Sequence, residues 1–174
     1  MRLSGPELER RVRSLFPLIV AVFAVLVDLA PRPAVGAGGL APSLTLGVVF
    51  FWSVYRPDVM SYGTVFAIGL LHDVLSGLPL GLSSLALLFG RAVLMSGDRF
   101  FHAQPFAVIW VLFIVWAPAV EGVRYVAGSL LTGAFGNPAT VVFQAGLTIA
   151  LYPALSWFLV RLHQHVVQVP HAKP

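Results

Sequence analysis

The chain has no cysteine and a single lysine among its 174 residues. Without cysteine, disulfide bonds, thiolate nucleophiles and thiolate metal sites are excluded. The single lysine is Lys173, so the glycine-rich phosphate loop that requires a lysine is missing as well. We therefore expect neither cysteine chemistry nor nucleotide hydrolysis from this chain.

Charged residues are also scarce. They make up 10% of the chain, whereas hydrophobic residues make up 58% and the mean hydropathy is +0.88. A soluble domain typically carries about 25% charged residues. The isoelectric point near 10.1 does not indicate a nucleic-acid-binding protein, because the basic residues are scattered between apolar blocks and form no patch with interleaved aromatics. The composition predicts an integral membrane protein surrounded by lipid.

Six apolar runs predict six transmembrane spans. No run shows the alternating pattern of barrel strands, so we predict an all-α membrane protein with about six transmembrane helices. Several runs are shorter than the roughly 20 residues that cross the hydrocarbon region, so some ends should lie in the interface. The predicted spans are Leu15–Ala30, Leu40–Tyr55, Met60–Val74, Leu78–Leu94, Ala103–Val120 and Thr140–Val160.

The basic residues predict the orientation, because cytoplasmic loops retain Lys and Arg preferentially. With six spans and the N-terminus inside, nine of the eleven basic residues are cytoplasmic and only Arg32 and Arg124 lie outside. We thus predict a multi-pass protein of the bacterial inner (cytoplasmic) membrane with both termini cytoplasmic. Its parts are a cytoplasmic segment (1–14), the transmembrane domain (15–161) and a cytoplasmic tail (162–174). Two alternatives stay open: five spans, and a signal peptide cleaved after Val35-Gly36-Ala37.

Charged residues at membrane depth are costly and mark candidate sites. Asp28 is one turn from the end of the first span and is interpreted as an interfacial residue. Asp73 is either a helix-end residue that is solvated or caps the next helix, or it has a specific role in packing or partner docking. Arg91 is expected to extend to the lipid headgroups. Glu121 and Arg124 stand three residues apart, so they share a helix face and are expected to pair.

The sequence contains no complete set of residues for catalysis or for metal binding. Gly81-Leu82-Ser83-Ser84 is similar to the serine motif of intramembrane proteases, but a nucleophile needs a base on a neighbouring span. Only His72 and His102 are candidates, and both lie near span ends. The pair His163 and His165 lacks carboxylates nearby, which makes a metal site weak. We expect no enzyme, no metal and no cofactor.

Four glycines mark the third span, the following turn and the start of the fourth. Small residues allow helices to approach closely, and glycine allows a sharp turn. The sequence therefore predicts that this hairpin is the most tightly packed part of the bundle. The glycines are Gly63, Gly69, Gly77 and Gly81.

Together with their surroundings, these residues resemble the rod shape-determining protein MreD family. The matching stretch runs from Pro42 to about Leu88 and has a proline opening the second span, an aromatic pair, a loop proline and a G-x-x-x-D-x-x-x-G-x-x-x-G series. Phe51 stands where tyrosine is frequent in the family. The matching residues are Pro42, Phe51, Trp52, Pro57, Gly69, Asp73, Gly77 and Gly81.

The resemblance implies a non-catalytic scaffold that helps to maintain rod shape in the cell-wall elongation complex. It implies binding to MreC, and through MreC a link between MreB filaments and RodA with a penicillin-binding transpeptidase. It further implies a fold similar to the substrate-binding subunits of energy-coupling factor transporters. Gly69, Asp73, Gly77 and Gly81 (the stripe), with Trp52 and Pro57, would form the packing or partner-binding surface.

A second interpretation is the substrate-binding subunit of a vitamin or small-molecule transporter. That function needs a closed polar pocket near the outer face. Asp28, Asp73, Glu121 and Arg124 all fall toward that side and could line it. Membrane lipids are expected partners in either case.

Overall fold

The computed structural model describes residues 5–30, 41–96 and 104–167, with side chains from residue 15 to residue 164 within those ranges. Six helices and no strand occur in these ranges, which confirms the all-α prediction. They are α1 (Gly5–Asp28), α2 (Leu44–Tyr55), α3 (Tyr62–Ser76), α4 (Leu82–Met95), α5 (Phe106–Thr132) and α6 (Pro138–Val167). The candidate cleavage tripeptide, Arg32, His102 and Lys173 lie outside the described residues.

Helix α2 is the central element. All ten residues from 45 to 54 are buried, so the helix is enclosed on every side. A helix that is hydrophobic all round is expected in the interior of a bundle. Helices α1, α4 and α6 pack against it, and α3 and α4 form the most extensive helix pair. At 12 residues, α2 is about 18 Å long, shorter than the hydrocarbon thickness of about 30 Å.

An aromatic cluster joins α2 to the two longest helices. The ring of Phe50 lies 4.8 Å from that of Phe113, 5.0 Å from Trp116 and 5.5 Å from Tyr152. Phe113 and Tyr152 stack at 4.1 Å. Aromatic pairs at these separations add stabilisation beyond their buried area. This cluster fixes α5 and α6 against the central helix.

Two helices are long and apolar enough to cross a membrane, namely Phe106–Thr132 and the Pro138–Gln164 part of α6. In their most apolar windows only 33% and 22% of the residues are buried. The core helix of a soluble protein would be mostly buried, so these apolar side chains face outward. The apolar stretches of the other four helices are 12 to 15 residues long.

Several helices extend beyond the predicted spans, whose edges in the membrane stay predictions. The fifth span was predicted to end at Val120, and α5 continues to Thr132, with the Glu121–Arg124 pair in this extension. The last span was predicted to end at Val160, whereas α6 extends to Val167, into the predicted tail. The predicted N-terminal segment and first span form one continuous helix from Gly5.

Candidate functional site

The α3–α4 hairpin is held by Asp73, which is completely buried. Its carboxylate accepts hydrogen bonds from the backbone N–H groups of Gly81 (2.9 Å) and Ser83 (2.9 and 3.1 Å). The first N–H groups of a helix have no partner within the helix, so Asp73 caps α4 from the preceding helix. Of the two roles left open for Asp73, the geometry matches the cap.

The glycines of the stripe make this hairpin sterically possible. Gly77 (φ 66°) and Gly81 (φ 94°) adopt left-handed conformations that side chains disfavour. A Cβ at Gly69 would lie 2.5 Å from the Cα of Ser84 and 2.6 Å from its backbone nitrogen. Gly69 therefore brings α3 into backbone contact with α4, whereas Gly77 is exposed and Gly81 half-buried in the turn between the helices.

Trp52 and Pro57 have internal contacts as well. Trp52 is 0% exposed, and its ring lies 6.1 Å from that of Phe16 and 5.5 Å from the imidazole of His163. The carbonyl of Pro57 accepts a hydrogen bond from Arg91. Both residues thus act in packing, and the structure does not bring them to the stripe's outer surface.

Arg91 does not extend to the lipid headgroups, so that prediction is wrong. The side chain is 3% exposed and its guanidinium donates to the carbonyls of Ser53 (3.1 Å) and Pro57 (2.9 Å). Ser53 is in the last turn of α2, where carbonyls lack partners within the helix. Arg91 therefore caps the C-terminal end of α2 from α4.

Asp28 has the corresponding role at the other end of α2. Its carboxylate accepts from the backbone N–H groups of Leu44 (2.9 Å) and Thr45 (2.8 Å) and from the hydroxyl of Ser43 (3.4 Å). It is partly buried, as expected for a residue near the interface. This cap was not predicted, because the amides that Asp28 binds lie 16 and 17 positions further along the chain.

His72, one of the two candidate bases, lies beside Ser83 of the serine motif. Its Nδ1 is 3.2 Å from the Ser83 hydroxyl and 3.3 Å from that of Ser76. Ser83 is 3% exposed, and the inner cavity beside it measures about 20 Å³, the space of about one water molecule. The pair forms a polar contact between α3 and α4.

Glu121 and Arg124 form the predicted ion pair, with Oε2 of Glu121 2.6 Å from a guanidinium nitrogen of Arg124. Glu121 is 3% exposed, whereas the Arg124 side chain is 24% exposed. The second carboxylate oxygen of Glu121, Oε1, is buried and has no hydrogen-bond partner within the described part of the chain. Buried acceptors without a partner are uncommon in folded proteins.

A cavity of about 500 Å³ lies at this end of the bundle. Three of the four residues proposed to line a pocket, Asp28, Glu121 and Arg124, line this cavity, whereas Asp73 does not. The cavity is partly open to the surface, unlike the closed pocket that the transporter interpretation requires. Residues of α1, α3, α4, α5 and α6 form its walls, including His72, Tyr125 and Gln144.

A second ion pair lies at the opposite end of α2 from Asp28. Arg56 donates to Asp58 through two nitrogens, at 3.1 and 3.0 Å. These hydrogen bonds lower the pKa of Asp58, whose side chain is 63% exposed. Exposed pairs contribute little to stability, which makes this one a useful reference for the buried groups.

Comparison with known proteins identifies a family. The model of the family described as rod shape-determining protein MreD matches residues 9–162. An uncharacterised protein of Rickettsia prowazekii (strain Madrid E) is 24% identical over 105 residues, which cover 60% of this chain and 59% of that protein. The chain therefore spans less than two thirds of that relative's length. No solved structure matches the chain.

Proposed function

The chain belongs to the MreD family of rod shape-determining proteins, and from this membership we propose that it is a non-catalytic membrane scaffold of the bacterial cell-wall elongation machinery. In this role it binds the single-span protein MreC. Through MreC it links MreB filaments to RodA and a penicillin-binding transpeptidase. The match of the family over residues 9–162 is the observation that carries the proposal.

The proposed location is the bacterial inner membrane, crossed six times, with both termini in the cytoplasm. Support comes from the outward-facing apolar side chains of α5 and α6 and from the basic residues of the predicted cytoplasmic loops. The short helices α2 and α4 are compatible with this location, because polar side chains of neighbouring helices bind both ends of α2 and the N-terminal end of α4. Within hydrocarbon, such internal satisfaction of the backbone is required.

For the stripe we propose a structural role in this scaffold. Asp73 is 0% exposed and Gly69 faces the backbone of Ser84, which supports packing over direct contact with a partner. MreC would then bind to an outward-facing surface whose structure the α3–α4 hairpin stabilises. Substitutions in the stripe would affect MreC binding through the fold.

The test is affinity purification of the full, tagged chain from its native membranes, followed by mass spectrometry of the bound proteins. An untagged strain provides the background. Recovery of MreC with RodA or the transpeptidase is the expected result. Recovery of a transporter ATPase without MreC would contradict the scaffold and favour the transporter subunit.

A further inference from the structure

The cavity at the Asp28 end contains an acceptor that the fold leaves unsatisfied. Oε1 of Glu121 has no hydrogen-bond partner among the described residues, and the side chain is only 3% exposed. Glu121 lines both the cavity of about 500 Å³ and the small inner cavity. A buried carboxylate oxygen needs an N–H or O–H donor, because an ionised carboxylate accepts hydrogen bonds and donates none. The two cavities that Glu121 lines are the spaces from which a donor can reach this oxygen.

Arg124 supplies the opposite charge on the same wall. Its contacts in the described structure are limited to the ion pair with Glu121, which engages Nη2. A guanidinium has five N–H donors, and Arg124 lines the cavity with only Nη2 engaged in the ion pair. Arginine is well suited to phosphate because it donates two parallel hydrogen bonds. Glu121 and Arg124 thus present an acceptor and a set of donors side by side.

The hydrogen-bonding capacity of the other carboxylate of the wall is used by the fold. Asp28 accepts hydrogen bonds from the first backbone amides of α2, at the positive end of the helix dipole. Glu121 and Arg124, one negative and one positive group, form a pair in which Oε1 of Glu121 still lacks a donor. Such a pair is complementary to a molecule that has both charges itself. The cavity volume is within the usual range for small-molecule sites, about 300 to 1,000 Å³.

We propose that this cavity binds an ammonium–phosphate zwitterion, with the ammonium on Oε1 of Glu121 and the phosphate on the guanidinium of Arg124. Phosphoethanolamine is the simplest group with this chemistry. It is present either as the headgroup of a membrane lipid or as a free solute. The apolar part of the wall, including Leu29, Leu78 and Leu82, lies beside the polar pair and tolerates a lipid's glycerol region.

The experiment uses the full chain in detergent and measures binding of three probes by native mass spectrometry and calorimetry. The probes are soluble glycerophosphoethanolamine, short-chain phosphatidylethanolamine and short-chain phosphatidylglycerol, which lacks the ammonium. The wild type is expected to bind an ethanolamine probe in preference to phosphatidylglycerol. Binding of the soluble probe would identify the headgroup alone as sufficient, whereas binding of the lipid only would identify a lipid site.

Glu121→Gln removes the charge and keeps the size of the side chain. It is expected to weaken ethanolamine binding by about tenfold or more and to abolish the preference over phosphatidylglycerol, as for the loss of a charge-assisted hydrogen bond. Arg56→Gln breaks the other ion pair and is the matched control, with unchanged binding. A purely structural role of Glu121 would change the thermal stability but not the headgroup preference.

The proposal is overturned if the wild type binds no ethanolamine probe, or binds it no better than phosphatidylglycerol. It is also overturned if Glu121→Gln folds and retains the preference. If Glu121→Gln does not fold, Arg124→Gln replaces it, since that side chain is more exposed. Arg124→Gln is expected to weaken binding of both lipids through the phosphate, and unchanged binding would contradict the proposal.

Discussion

At the scale of single residues, Asp73 is the clearest link between sequence pattern and structure. A buried carboxylate is costly unless hydrogen bonds compensate for the lost water. Here the amides of Gly81 and Ser83 provide that compensation. Those amides would otherwise be unsatisfied, because helix ends lack internal partners and lipid offers none. The acidic residue and the helix end therefore stabilise each other.

Asp73→Ala is expected to destabilise the fold by about 1–3 kcal/mol, since it leaves buried donors without acceptors. Asp73→Asn keeps one acceptor oxygen and should lie between Ala and the wild type. The measurement is the thermal unfolding midpoint in detergent, followed by circular dichroism at helix wavelengths. MreC recovery should decrease in parallel with the amount of folded protein.

Asp58→Ala is the matched control, because it removes an exposed carboxylate from an ion pair. Its effect should be below about 1 kcal/mol. If Asp73→Ala unfolded at the same temperature as Asp58→Ala, the capping role would be wrong. Loss of MreC recovery without loss of stability would instead identify Asp73 as a docking residue.

At the scale of elements, α2 shows how a short helix is accommodated. Asp28 from α1 binds its N-terminal amides, and Arg91 from α4 binds its last carbonyls. The two charges have the signs that the helix dipole favours at each end. Because side chains of the protein bind both ends, a helix of 12 residues can have residues 45–54 buried among the other helices.

Contact between α3 and α4 depends on the absence of a side chain at position 69. Gly69→Ala places a methyl group 2.5 Å from the Cα of Ser84, so the helices have to separate. Overpacking of this kind typically costs about 1–3 kcal/mol. We expect a lower unfolding midpoint in detergent and weaker protection of the α3–α4 backbone in hydrogen exchange.

Gly63→Ala is the control in the same helix, because the nearest atom to its added Cβ is the Ser61 hydroxyl at 3.8 Å. Replacing an exposed helical glycine by alanine is expected to be neutral or to stabilise by up to about 1 kcal/mol. Equal midpoints for the two variants would mean that α3 and α4 are not in backbone contact.

At the scale of the whole molecule, hydropathy predicted the six helices because lipid requires long apolar runs and leaves few alternatives. The orientation argument also placed Asp28, Glu121 and Arg124 at one end, where the cavity brings them together. The partners of Arg91 were not predictable, since its contact with Ser53 joins residues 38 positions apart. The same applies to the His72–Ser83 contact, which depends on how sharply Gly77 and Gly81 turn the chain.

The proposed orientation of the whole bundle is testable with single cysteines, because the chain contains none of its own. Cysteine at Leu80 or Phe135, which are 69% and 75% exposed, is expected to react with a membrane-impermeant maleimide in intact cells. Cysteine at Asp58 or Gln164, also exposed, should react only after the inner membrane is permeabilised. This pattern follows if α3, α4, α5 and α6 each cross the membrane.

The pair Phe135 and Gln164 is the most informative, because α6 separates them by nearly its whole length. Reaction of both positions from the same side would mean that α6 does not cross, and five spans would then be the better topology. If the cysteine at position 58 reacted from outside and the cysteine at position 80 were protected, the bundle would have the inverted orientation. The cavity would then open to the cytoplasm, so any zwitterion bound beside Glu121 would have to come from the inner leaflet or the cytosol.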